Sequence, residues 1–480
     1  MKDRKRADWR QQFDQPAYRV SSTDAGRGWF PTAYVADTLL MPIGDGVDEE
    51  LREVGRLAGE RGWKIHDDKA VRFAGPHPPR RTHAGPGESA GIAGVRRLRL
   101  TRARAHLGHD PDAFLLLRAW RERGGGSAIG LNHVLTLGPL MSTNPLMSTN
   151  PLMSTNPLMS TNPLMSTNPA ASYAVPGLGG KQPVNVAVEP PARQKLSGRR
   201  VTVAVLDTGC AEHPWLDEVV TRPQLNGTEI GLVGGVDAER VPDVGDPIDG
   251  AAEPAAGHGT FIAGLIRQIA PQAEVLAVRV CEGDGVIDEF TLIETVMQLV
   301  EYQRQGQPID VVNLSLSYVH ETADDTAYSE ALSQSLRLLR AEGTMIVVSA
   351  GNAATRRPHY PAAFADDPDT AGLAPLISVG ATNPNGTVAA FSNEGTWVKS
   401  WQPGAALLST HPMVNTGAEP LMRHGRRETL DPDDFSGGFA VWSGTSFAAP
   451  VLAARLAAKL EPATDPADRI ARAQEALAHG

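Results

Sequence analysis

The sequence predicts an α/β protein in two parts. Residues 200–480 read as a mostly parallel sheet wrapped by helices, and residues 31–138 as a small α+β domain of βαββαβ order. From Arg200 onward, short and uniformly apolar runs alternate with helical patterns, as strands covered on both faces do. From Tyr34 to Leu137 the apolar residues instead alternate along strand-length runs separated by two amphipathic helices. Between the two parts lies a Pro-rich repeat that suits neither strand nor helix.

Residues 1–30 are polar, carry no period and read as a flexible tail. Thr38–Ile43 is a first strand, and Asp48–Trp63 a helix with Leu51, Val54, Leu57 and Ala58 on one side. Lys64–Phe73 is a strand, followed by a Pro/Gly-rich loop over 75–87. In Val95–Arg102, Leu98 and Leu100 face one way and Arg97 and Arg99 the other. Asp110–Arg123 is a second helix with Phe114, Leu117 and Trp120 on one side, and Ile129–Leu137 a last strand. This order folds as one four-stranded sheet with both helices on a single face. His77 and His83 lack zinc-like spacing and read as surface residues.

Residues 139–199 read as a disordered linker. Pro-Leu-Met-Ser-Thr-Asn occurs five times between Pro139 and Asn168. A β-helix coil needs about three hexapeptides, so this repeat closes fewer than two coils and buries no core. An exposed segment of this length is also an expected site of chain cleavage.

Composition narrows the setting. No apolar run approaches the roughly 20 residues of a membrane span, and the charged N-terminus opens no signal peptide. Cys210 and Cys281 are the only cysteines. These features point to a cytoplasmic protein with no membrane partner, leaderless export staying open. Residues 1–138 hold 23 Lys/Arg against 17 Asp/Glu, so they carry +6 and the remainder −16 of the net −10. The parts are thus electrostatically complementary. The arginines at 96, 97, 99, 102 and 104 sit in no nucleic-acid-binding motif, and a nucleic-acid partner is not expected.

In the larger part, Asp207 follows the strand Val201–Leu206 directly, where an open α/β sheet places its active edge. His258 stands at the start of the helix carrying Ile262, Leu265 and Ile266. Ser446 precedes the apolar run Val451–Leu460 at another helix start, where free N–H groups stabilise developing negative charge. Singly, each reads as a turn or capping residue. Together they supply an acid, a base and a nucleophile.

Val-Leu-Asp-Thr-Gly at 205–209, His-Gly-Thr-Phe-Ile-Ala-Gly at 258–264 and Gly-Thr-Ser-Phe-Ala-Ala-Pro at 444–450, in that order, resemble the subtilisin-like serine proteases, the subtilase family. The resemblance implies the subtilisin fold and a serine endopeptidase acting on protein or peptide substrates. Asp207, His258 and Ser446 become the catalytic triad, and Asn352 the oxyanion donor. Leu314, Ser315, Leu316 and Ser317 would form the substrate-pairing edge. Ser349, Ala350 and Gly351 would line the cleft, with His359 at the pocket floor. Phe261 and Phe447 stand where many members have His and Met, and Ser317 replaces a common Gly. The charged stretch 411–438 looks inserted. No cofactor or metal ligand set maps onto this chain, although structural calcium is frequent in the family. The N-terminal domain resembles a subtilase propeptide in architecture, which implies an intramolecular inhibitor. The reading from another class is a non-catalytic binding or regulatory protein that keeps the fold.

Overall fold

The computed structural model describes residues 18–20, 30–44, 47–73, 93–103, 109–126, 129–137, 173, 179–193, 197–242, 252–322, 330–368, 371–418, 423–424, 427–428 and 433–478. The hexapeptide repeats and the loop with His77 and His83 lie outside these residues.

The N-terminal unit is built from β1 (Tyr18–Val20), β2 (Ala33–Ile43), α1 (Val47–Glu60), β3 (Trp63–Arg72), β4 (Gly94–Arg102), α2 (Ala113–Glu122) and β5 (Gly130–Thr136). The strands run β5-β2-β4-β3 and are antiparallel. Asp48, Glu49 and Glu50 occupy the first turn of α1, where the helix dipole favours them. Asp112 caps α2 by accepting from Leu115 N at 3.1 Å. Val54, Leu57, Phe114 and Leu117 pack with Leu39, Met41, Leu98 and Leu100, so both helices cover one face. The opposite face, with Leu40, Val95 and Leu135, packs into the core of the larger unit.

Two departures from the sequence reading concern segments expected to be loose. Tyr18–Val20, assigned to the flexible tail, pairs antiparallel with β2. Residues 179–193, assigned to the linker, belong to the larger unit: β6 (Gln182–Pro183) joins its small antiparallel sheet, and Val184 and Val186 pack on its core. Val184, Val186 and Val188 alternate over only five residues between two prolines, and Val188 is exposed, so the run is too short and too one-ended to mark a docked strand in the sequence.

The larger unit centres on β7 (Thr202–Asp207). It also comprises β8 (Val220–Thr221), α3 (His258–Ile269), β9 (Glu274–Arg279), β10 (Val286–Asp288), α4 (Glu289–Arg304), β11 (Val311–Leu314), α5 (Glu330–Ala341), β12 (Met345–Ser349), β13 (Leu376–Thr382), β14 (Ser400–Pro403), β15 (Leu407–Thr410), β16 (Phe439–Trp442), α6 (Thr445–Ala457) and α7 (Pro466–Ala478). Seven parallel strands run β14-β13-β12-β11-β7-β9-β8. Along β7, Val203 and Val205 enter one core while Ala204 and Leu206 enter the other, as a sheet covered on both faces requires. Among the described residues no helix is long and apolar enough to cross a membrane.

The two units share a sheet. Strand β10 pairs antiparallel with β5, setting Val286 opposite Thr136 and Asp288 opposite Val134. This pairing carries the end of β5 toward the carboxyl edge of the parallel sheet.

Candidate active site

Asp207 ends β7 and His258 begins α3, and two glycines let these segments touch. A Cβ on Gly259 would lie 2.1 Å from the Gly209 carbonyl oxygen, a contact no side chain tolerates. Gly209 itself has φ 109°, in the left-handed region. Both motif glycines therefore serve one close approach. His258 Nδ1 lies 2.8 Å from Asp207 Oδ1, which also accepts from Thr208 N at 2.8 Å, and both side chains are buried. Trp442 and Phe447 wall the imidazole, with ring centroids 5.5 and 4.9 Å away, and Phe261 packs against both.

Ser446 is the second residue of α6. Its helix runs on through Pro450, whose missing N–H leaves the Ser446 carbonyl without its helical donor. Ser315 Oγ supplies one at 2.9 Å. The Ser446 hydroxyl is not hydrogen-bonded to His258: it donates to the Leu137 carbonyl at 2.9 Å, and His258 Nε2 makes no hydrogen bond among the described residues. Asn352 Oδ1 accepts from Thr445 N at 2.9 Å and from Thr445 Oγ1 at 2.7 Å, which leaves its NH₂ as the group that can donate elsewhere.

The expected cleft residues divide. Ser317 lies at the edge and exchanges two hydrogen bonds with Thr136, at 2.8 and 3.0 Å. Leu314 and Leu316 turn into the core, while Ser315 stands behind the nucleophile. Ser349 ends β12, the Ala350 carbonyl accepts from Asn393 Nδ2 at 2.8 Å, and Gly351 N donates to Thr445 Oγ1 at 3.0 Å. His359 Nδ1 is 3.4 Å from Ser317 Oγ, and burial lowers its pKa to about 4. Its ring is thus neutral.

Several participants had no sequence signal. Gly285 O accepts from Leu137 N at 3.0 Å, so Thr136–Leu137 lies between two backbone edges. Lys181 is half-buried, donates to the carbonyls of Glu253 and Ala256 just before His258, and stands 4.8 Å above the Trp442 ring. Burial lowers its pKa to about 8. Glu239 is buried behind Asp207.

At the seam between the units, Arg121 pairs with Glu321 at 2.8 Å. His133 contacts Glu289 through Nδ1 at 2.7 Å and Glu321 through Nε2 at 2.9 Å, all three buried. Burial alone would strip the imidazole of its proton, but the two carboxylates outweigh it and raise His133 to about 9. His133, His320 and Glu321 also offer metal-type donors within 4.8 Å of one another. A protonated His133 spends both nitrogens as donors and has no lone pair for an ion.

The chain belongs to the subtilase family, whose sequence profile, described as "Subtilase family", matches residues 198–474, more than half of its length. It is accordingly a serine peptidase acting on proteins or peptides. It is similar to subtilisin BL of Lederbergia lenta, 30% identical over 226 residues that cover 45% of this chain and 68% of that protein. It is also similar to an intracellular serine protease of Paenibacillus polymyxa, 27% identical over 289 residues, 57% of this chain and 71% of that one. Among solved structures, a cold-adapted subtilisin-like serine proteinase matches with TM-score 0.33 and 23% identity, over 54% of this chain and 74% of that chain.

Proposed function

We propose that the chain is a serine endopeptidase working through an acyl-enzyme intermediate, with residues 31–137 as its intramolecular inhibitor. Ser446 Oγ attacks the scissile carbonyl carbon while His258 Nε2 takes the hydroxyl proton. The carbonyl oxygen becomes an oxyanion held by Asn352 Nδ2 and the Ser446 N–H. The C–N bond then breaks as His258 returns the proton to the leaving amine, and the acyl group stays on Ser446 as an ester. Water attacks that ester with His258 again as base, releasing the acid and restoring the serine. Asp207 holds the imidazole in the tautomer that frees Nε2 and stabilises it when protonated.

The observation that carries the inhibitor reading is the hydrogen bond from Ser446 Oγ to the Leu137 carbonyl. Thr136 pairs with the Ser317 edge as an extended substrate would, and the nucleophile's proton is committed to the chain's own carbonyl. On this reading the first self-cleavage falls after Leu137, ahead of the repeats rather than within them.

A fluorophosphonate probe applied to the full chain tests the enzyme, and N-terminal sequencing of any processed form tests the cut. Labelling that disappears in Ser446→Ala, with a new terminus at Gly138, is the expected outcome. Absence of labelling in wild type over a full pH range would leave the non-catalytic binding reading in place.

A further inference from the structure

Behind Asp207 sits a carboxylate that the reaction scheme does not use. Glu239 is 1% exposed. One of its oxygens takes the hydroxyl of Thr208, the residue after Asp207, and the other takes the hydroxyl of Thr260, two residues after His258. Each threonine oxygen is also an acceptor: Gly259 N donates to Thr208 Oγ1 at 2.9 Å, and Ala211 N to Thr260 Oγ1 at 2.8 Å. One carboxylate thus ties the turn carrying the acid to the first turn of the helix carrying the base.

We propose that Glu239 is a positioning residue of the Asp207–His258 pair, holding both segments through Thr208 and Thr260 and setting how much negative charge stands behind Asp207. The proposal deepens the serine-peptidase reading and rests on it for its link to catalysis.

The Thr208 hydroxyl has one proton and two acceptors, Glu239 and, at 3.2 Å, Asp207 Oδ1. When Glu239 is charged, it holds that proton. When Glu239 is neutral, its own O–H donates to one threonine; if this is Thr208, the Thr208 proton turns to Asp207. Asp207 then gains a donor and loses a neighbouring negative charge, and both changes weaken its hold on a protonated imidazole. Burial raises Glu239 to about 7, against the pull of the two threonines. The charged and titratable groups facing it are Asp207, Asp237, Lys181, Cys210 and Cys281. Its neutral and charged forms therefore exchange within the range where a histidine base operates.

The test uses the full chain as Ser446→Ala, which prevents self-processing, and follows the downfield Hδ1 resonance of His258 by NMR from pH 5 to 9. The expected curve carries an inflection near pH 7 in addition to the change that protonation of the imidazole itself brings, and only this added inflection is lost in Glu239→Gln while the resonance persists. Thr208→Val, which keeps the shape but removes the relay hydroxyl, should shrink the same inflection. Curves that overlay wild type in both variants overturn the proposal, and Thr208→Val alone decides it if Glu239→Gln does not fold. Fluorophosphonate labelling of the Ser446-bearing chain runs beside it. A chain that shows the inflection but never labels defeats the peptidase reading alone, whereas a chain that labels without the inflection defeats the role of Glu239 alone.

Discussion

The hydroxyl of Ser446 and the carbonyl of Leu137 are 309 residues apart in sequence and 2.9 Å apart in space. The bond joins the nucleophile of the larger unit to the end of the smaller one, and Thr136 is clamped on the Ser317 edge one residue earlier. Thr136→Pro removes the N–H that donates to Ser317. One net hydrogen bond is worth about 1 kcal/mol, roughly a factor of five. Fluorophosphonate labelling of Ser446 in the unprocessed chain should accelerate by about fivefold to tenfold, read as a rate by gel fluorescence. An unchanged rate would show that the strand does not limit access.

Asn352 is held by Thr445 through its oxygen, which keeps its amide protons for another acceptor. Asn352→Leu should lower kcat by about 100- to 1000-fold, a range already known from subtilisin itself, with KM nearly unchanged. Steady-state kinetics on a fluorogenic peptide cut by wild type would measure the split. A rise in KM alone would move Asn352 from oxyanion stabilisation to ground-state binding.

Pro450 withholds one helical hydrogen bond, and Ser315 Oγ replaces it on the Ser446 carbonyl. Ser315→Ala leaves that buried carbonyl without this donor, at a cost of about 1–3 kcal/mol. Denaturant unfolding of the Ser446→Ala chain, with and without Ser315→Ala, checks the value. Pro450→Ala in the same background should recover part of the loss by restoring the helical donor.

The His133 clamp gives the units a pH dependence of definite sign. His133 is raised to about 9 between Glu289 and Glu321, while a released, exposed histidine titrates near 6.5. The bound form therefore holds a proton that the free form gives up. The contribution is complete below about 6.5 and is lost as pH rises through about 9. In the Ser446→Ala chain, hydrogen exchange of residues 130–137, corrected for intrinsic rates, should lose protection across that window. His133→Gln should exchange faster at neutral pH with a flatter profile, whereas strands β7 and β11 keep their protection in both chains.

Much of the architecture was legible because it rests on local patterns. The runs at Thr202–Asp207 and Val311–Leu314 are apolar throughout because both faces of their sheet are covered. Leu98 and Leu100 alternate with arginines because only their side of β4 meets α1 and α2. The basic excess of residues 1–138 suggests a complement to the acidic larger unit, yet most arginines of β4 are paired at home: Arg97 with Asp68 at 2.7 Å, and Arg102 with Asp110. Net charge does not reveal which partner a residue takes. Cross-unit pairing falls instead to Lys69, Arg121 and His133, which meet Glu294, Glu321 and Glu289 across the junction that β5 and β10 form.

The sequence by itself determined the class of fold, the chain order of Asp207, His258 and Ser446, and the glycines that allow their segments to approach. Each of these needs only a few neighbouring residues of the right type and shape. Tertiary structure alone decided what stands against Ser446, that Lys181 docks beside the His258 loop, and that Glu239 lies behind Asp207. Those contacts join segments tens to hundreds of residues apart, and nothing in a short window of sequence encodes which distant backbone edge or buried carboxylate will be folded against it.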